Sequence, residues 1–160
     1  MKEGYMSEVF EEFIPYLKHK VGFLKSVPYH LILTNERLIF AQNTKAVQKA
    51  AQAALLQEMK GKSLKERMMT GMAHNAVMFD QYKAMSIDDI LAQTPGNFTI
   101  QRHTLLKVRT SIGAGLDENN QPTNGTITLT TTTGKMVFKG ATIHDGERAY
   151  HALKRAIKST

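Results

Sequence analysis

Two hydrophobic periods alternate along this chain of 160 residues, and their order constrains the fold more than any other feature. Residues 1–44 and 94–160 carry short β-favouring runs. Residues 45–93 instead repeat their apolar side chains every three to four positions. Strands on both sides of a helical block predict an α+β fold, in one domain spanning 1–160 with a helical insertion at about 45–93, rather than a βαβ array.

In the first block, Val9, Phe10, Phe13 and Ile14 fit strand or helix equally by period. The run Pro28-Tyr29-His30-Leu31-Ile32-Leu33-Thr34 is a strand, Asn35-Glu36 a tight turn, and Arg37-Leu38-Ile39-Phe40-Ala41 the returning strand. Asn is expected there because it tolerates the left-handed backbone of short hairpin turns. The middle block places Val47, Ala50, Ala51, Ala54 and Leu55 on one helical stripe that ends at Gly61. A second helix begins near Ser63, with Glu66 completing a capping box, and carries Leu64, Met68, Met72, Ala76 and Phe79. A third follows Ser86 with Asp88 and Asp89 in its first turn. In the last block, Phe98–Ile100, Leu105–Ile112, Thr126–Thr130 and Met136–Phe138 are strands, and 113–125 is a polar loop. Ile127 and Leu129 alternate inward. An amphipathic helix from about Asp145, with Asp145 or Thr142 as cap, ends the chain and is expected to bury Leu153 and Ile157 against Ile127, Leu129 or Phe138.

The segment Tyr29-His30-Leu31-Ile32-Leu33-Thr34-Asn35-Glu36-Arg37-Leu38-Ile39-Phe40 resembles the L-T-N-x-R-L-I-F hairpin of bacterial pleckstrin-homology-like and GRAM-like domains. Phe98 to Arg109 is similar to their entry into a middle strand, and Thr126–Phe138 with Glu147–Ile157 to their closing hairpin and capping helix. The resemblance covers roughly residues 5–43 and 96–158 and implies a strongly bent antiparallel β-barrel or sandwich capped by a C-terminal α-helix. Residues 44–95 depart from it, because the family connects these strands briefly. The insertion would serve a function of its own or cover an open edge of the barrel.

The same resemblance directs attention to Lys18-His19-Lys20-Val21-Gly22-Phe23-Leu24-Lys25, where many pleckstrin-homology domains bind phosphoinositide headgroups. Lys18, Lys20 and Lys25 would attract phosphates, and Phe23 and Leu24 would dip into the membrane interface. Against this, the following strand offers only His30 where lipid readers carry several Lys and Arg. The competing expectation is a solvated loop whose Phe23 and Leu24 pack on the barrel. A second candidate surface is the methionine-rich middle block. Met68, Met69, Met72 and Val77 widen its apolar face enough for a partner or a second copy, although core packing is the commoner use of such methionines.

Net charge is +7, and the final block holds nine basic against four acidic groups, which favours anionic partners. Nucleic acid ranks below lipid or protein. Arg102, Lys107, Arg109, Lys135 and Lys139 could track phosphates, but Trp is absent and Phe98 and Phe138 are expected to face inward. Cysteine is absent, which excludes disulfides, thiolate metal sites and cysteine nucleophiles. The six histidines lack the spacing of helical metal ligands, and no Gly-x-Ser-x-Gly elbow occurs, so no metal, cofactor or catalytic residue is expected. No apolar run approaches the ~20 residues of a membrane span, and the N-terminus lacks a signal core. The sequence thus predicts a cytoplasmic, non-catalytic binding or recruitment module, peripheral to the membrane if lipid is its ligand. The alternative is a structural or oligomerisation unit built on the inserted helices.

Overall fold

The computed structural model describes residues 7–63, 65–66, 74–111, 125–140 and 143–158. Strands β1 (Phe10–Lys20), β2 (Ser26–Thr34), β3 (Arg37–Gln42), β4 (Phe98–Gln101), β5 (Leu105–Ser111), β6 (Thr126–Thr131) and β7 (Gly134–Lys139) form one antiparallel sheet. Their order is β4-β3-β2-β1-β7-β6-β5. Helices α1 (Lys45–Met59), α2 (His74–Lys83) and α3 (Ile87–Gln93) stand between β3 and β4, and α4 (Ile143–Lys158) follows β7.

The sheet does not close into the expected barrel. Its edges are β5 and the four-residue β4, and the turn Arg102–Thr104 carries the chain from one to the other. That turn is tied to the β2–β3 turn by the Arg102 amide on the Glu36 carbonyl (3.0 Å) and to the β6–β7 turn by the Thr132 amide on the Thr104 carbonyl (3.0 Å). The two edges do not pair with each other. A cleft of about 530 Å³ remains between β4 and the β6–β7 turn, lined by Phe98, Ile100, Thr131 and Met136 among others.

The apolar segment whose period was ambiguous is β1, and the sheet bends within it. Ile14 pairs with Leu31 and Leu17 with Tyr29, so Pro15 and Tyr16 together oppose His30 in a bulge. Proline is tolerated there because it has no amide to leave unpaired. Tyr16 takes the left-handed conformation (φ 59°), strained for a non-glycine residue, and its amide donates to His30 Nδ1 at 3.3 Å. His30 is buried among Phe13, Tyr16 and Tyr82, with Asn43 and His74 nearby, and burial pushes its pKa down to about 4. Protonation would both charge a buried ring and remove the acceptor that holds the bulge. The folded pKa lies below the unfolded value of about 6.5, so this contribution is complete above that pH. It is lost as pH falls toward 4, on the order of 3 kcal/mol in all. Denaturation midpoints should therefore drop more steeply between pH 7 and 5 in the parent chain than in His30→Gln. Equal slopes would exclude His30 as the source.

Two cores lie on opposite faces of β1–β3. One joins Ile14, Leu31, Leu33, Leu38 and Phe40 to Ile127, Leu129 and Phe138, with Leu153 and Ala149 of α4 filling it and Ile157 at its margin. The expected burial beside Ile127, Leu129 or Phe138 is thus observed for Leu153, whereas Ile157 is only partly buried. The other joins Phe13, Ile32, Ile39 and Ala41 to Ala51 of α1, Met78 and Tyr82 of α2 and Ile90 of α3. The inserted helices thus cover the outer face of β1–β3, and for that reason β2 and β3 read as unbroken apolar runs rather than alternating ones.

Several local details differ from the sequence reading. The Asn35-Glu36 turn is not held by a left-handed Asn. The Thr34 hydroxyl accepts the amides of Glu36 (3.1 Å) and Arg37 (3.0 Å), while Asn35 Oδ1 accepts the Val9 amide at 2.7 Å. Helix α4 starts at Ile143, so Asp145 sits in its first turn rather than at the cap, and Thr142 lies outside the described residues. The Ser63–Glu66 capping box forms, as does the Ser86 cap on the Asp89 amide (3.1 Å), and Gly61 ends α1 with φ 74°.

Candidate functional site

Strands β1 and β2 run on beyond the main sheet as a hairpin. Lys18 pairs with Pro28, His19 with Val27 and Lys20 with Ser26. The Val21 amide closes the turn on the Lys25 carbonyl at 3.0 Å. At the tip Phe23 is 96% exposed and Leu24 93% exposed, with Val21 half in solvent beside them. The expectation that Phe23 and Leu24 pack on the barrel is therefore overturned. Their turn is short and projects past the last core residue of β1, Leu17, so neither side chain can reach the interior. Burying a side chain of this size is worth about 1.5–3 kcal/mol, which the folded chain forgoes here.

The lysines are placed differently from the loop that the sequence suggested. Lys18 and Lys20 belong to β1 and only Lys25 to the turn. Strand alternation puts Lys18 and Lys20 on the same exposed face, about 7 Å apart along the strand. His19, between them, turns inward against Tyr29, Phe98 and Phe138, with the last ring centroid 4.9 Å away. Burial lowers its pKa, so it adds no charge to the lysines near neutrality. His30 is buried and likewise offers nothing to a ligand at this tip.

Sequence reasoning grouped Lys139 with the basic sheet residues but did not place it beside the hairpin. It lies directly opposite Lys18 in the β1–β7 pairing, so the two cations share a face. The inward alternation of Met136 and Phe138 already placed Lys139 outward. What the sequence did not display was the pairing of β7 with β1. Among the described residues, no carboxylate lies within ion-pair distance of Lys18, Lys20, Lys25 or Lys139.

Of the second candidate surface only Val77 is among the described residues. Met68, Met69 and Met72 lie outside the described residues, and Val77 is half-buried on α2. Their neighbour Met78 is buried in the second core, and Met85 packs against it. Arg102, grouped by sequence with the basic sheet residues, is buried and bound to Glu11 Oε2 (3.1 Å) and the Thr34 carbonyl (2.9 Å), so it belongs to no open face. No described helix is long and apolar enough to cross a membrane. No protein-family model and no curated protein sequence matches this chain.

Proposed function

We propose that this chain is a non-catalytic recruitment module of the pleckstrin-homology-like type, which docks on anionic membrane surfaces through the β1–β2 tip. The observation that carries the reading is the pair of fully exposed apolar side chains, Phe23 and Leu24, next to Lys18, Lys20 and Lys25. An apolar wedge with a cationic collar matches the two halves of a lipid interface: acyl chains accept the wedge and headgroup phosphates the ammonium groups. The strand order, with β1 shared between two halves of a bent sheet and a C-terminal helix filling the interior, supports the fold assignment. Three lysines near such a surface contribute about 3 kcal/mol. That alone gives weak, salt-sensitive attachment, and insertion of Phe23 and Leu24 supplies the second signal that stable anchoring needs.

Sedimentation with phosphatidylcholine vesicles, with and without phosphatidylserine, tests this. The parent chain should pellet only with the anionic vesicles, and more at low salt. F23S/L24S should weaken that binding by on the order of tenfold or more, since it removes the apolar transfer of two large side chains. Absence of parent binding at low salt would overturn the reading in favour of the alternative, an oligomerisation unit. That alternative has one specific foothold: α1 buries only Ala51 while Leu56 remains 64% exposed. It predicts a concentration-dependent mass in light scattering that Leu56→Glu abolishes.

A further inference from the structure

The two halves of the sheet treat their outer faces differently. The inserted helices cover the outer face of β1–β3, whereas the outward positions of β5, β6 and β7 carry mainly cations and threonines, with Val137 among them and Leu106 exposed on β5. These three strands contain no aspartate or glutamate. Ile127, Leu129 and Phe138 are buried, so the pleat turns their alternates outward. Lys107 and Lys135 both pair with Thr130 from opposite sides, Arg109 pairs with Thr128, and Lys139 pairs with Lys18. Lys107, Arg109, Lys135, Lys139, Lys18 and Lys20 thus form a strip that runs from the β6–β7 end of the sheet to the hairpin.

Three arginines elsewhere have carboxylate partners: Arg37 with Glu8 and Arg155 with Glu12, both at 2.8 Å, and Arg102 with Glu11 at 3.1 Å. Among the described residues, none of the six strip cations has a carboxylate within 4.0 Å. Lys18 and Lys139 even face each other across adjacent strands, an arrangement that costs stability unless an anion lies over both. We infer that this strip is a membrane-contact surface continuous with the hairpin tip, so that the module lies with the outer face of β5–β7 against the anionic headgroups. The inference rests on the membrane reading above and extends it. Charge complementarity selects a polyanion. Between polyanions, the strip has no aromatic ring on which bases could stack, while its hairpin end offers Phe23 and Leu24 to an apolar phase.

The experiment compares three variants on vesicles of phosphatidylcholine with phosphatidylserine. K107Q/R109Q/K135Q/K139Q removes four strip charges. K45Q/K49Q/K65Q/K154Q removes as many exposed charges elsewhere, and F23S/L24S removes the wedge. The strip variant should lose on the order of tenfold or more in vesicle affinity and show a shallower salt dependence, each cation being worth severalfold. The control should stay close to the parent. Circular dichroism and the thermal midpoint should show the strip variant folded, at least as stable as the parent because like charges have been relieved. Equal losses from strip and control variants would overturn the inference and assign binding to net charge. Loss in F23S/L24S with full binding by the strip variant would leave the tip reading intact and remove the strip. If the parent ignores vesicles but binds duplex DNA in a strip-dependent way, both the membrane reading and this inference fall.

Discussion

Replacing Phe40 by alanine is expected to destabilise the fold by about 4 kcal/mol, within the range for emptying a buried phenylalanine site. Phe40 is fully buried and stacks on both sides, on Phe98 at 4.7 Å and 10° and on Phe138 at 5.1 Å and 11°. Tyr29 meets its edge at 6.1 Å and 89°. The stack joins β4, β3 and β7, so it spans the interior between the two halves of a sheet whose edges do not pair. Each aromatic pair adds about 0.5–1.5 kcal/mol beyond area burial. Because no hydrogen bonds close the gap between β4 and β5, little backbone constraint compensates when the ring is lost. Urea denaturation should show a lower midpoint with an unchanged slope. Phe40→Leu, which keeps most of the volume, should recover at least half of the loss. A Phe40→Ala change below about 1.5 kcal/mol would mean that the halves collapse onto the cavity and that the stack is not what holds them together.

Arg102→Ala should cost about 3–5 kcal/mol, because it removes several hydrogen bonds of a buried guanidinium, each worth about 1.5–3 kcal/mol. Its guanidinium ties three elements that are distant in sequence: Glu11 of β1 (3.1 Å), the Thr34 carbonyl at the end of β2 (2.9 Å) and the Ala156 carbonyl near the end of α4 (3.4 Å). Glu11 is partly exposed and can turn to water, whereas the hydrogen bonds to the two carbonyls are buried. Loss of these buried hydrogen bonds to a charged group makes up most of the expected cost. Arg102→Lys keeps a charge but not the fork of donors, so it should recover only part of it. Hydrogen exchange should localise the effect to the last turns of α4 and the start of β1. A uniform change over all elements, or a loss under 1 kcal/mol, would argue against this strap.

Much of the fold was legible in residue order. The β2–β3 hairpin, the alternation of Ile127 and Leu129, the Ser63 and Ser86 caps and the apolar stripe of α4 depend on neighbours within a few positions. The failures concern neighbours that are far apart in sequence. Burial of Arg102 requires β1, β2 and α4 to meet at one point. Exposure of Phe23 and Leu24 depends on how far the hairpin extends past Leu17. The partnership of Lys18 with Lys139 exists only because β7 pairs with β1.

The amino-acid sequence by itself determined the element types apart from β1, their order and which residues of β6 and α4 face a core, because periodicity and capping act over a few residues. It also set the absence of carboxylates on β5–β7, which is a matter of composition. Only the tertiary structure decided that the sheet stays open, that the inserted helices cover one outer face and that the cations form a continuous strip with the hairpin. Those outcomes follow from strand pairing and from the Pro15-Tyr16 bulge, which sets the direction of β1. A residue's period says on which side of its strand it lies, but what occupies that side is fixed by segments elsewhere in the chain.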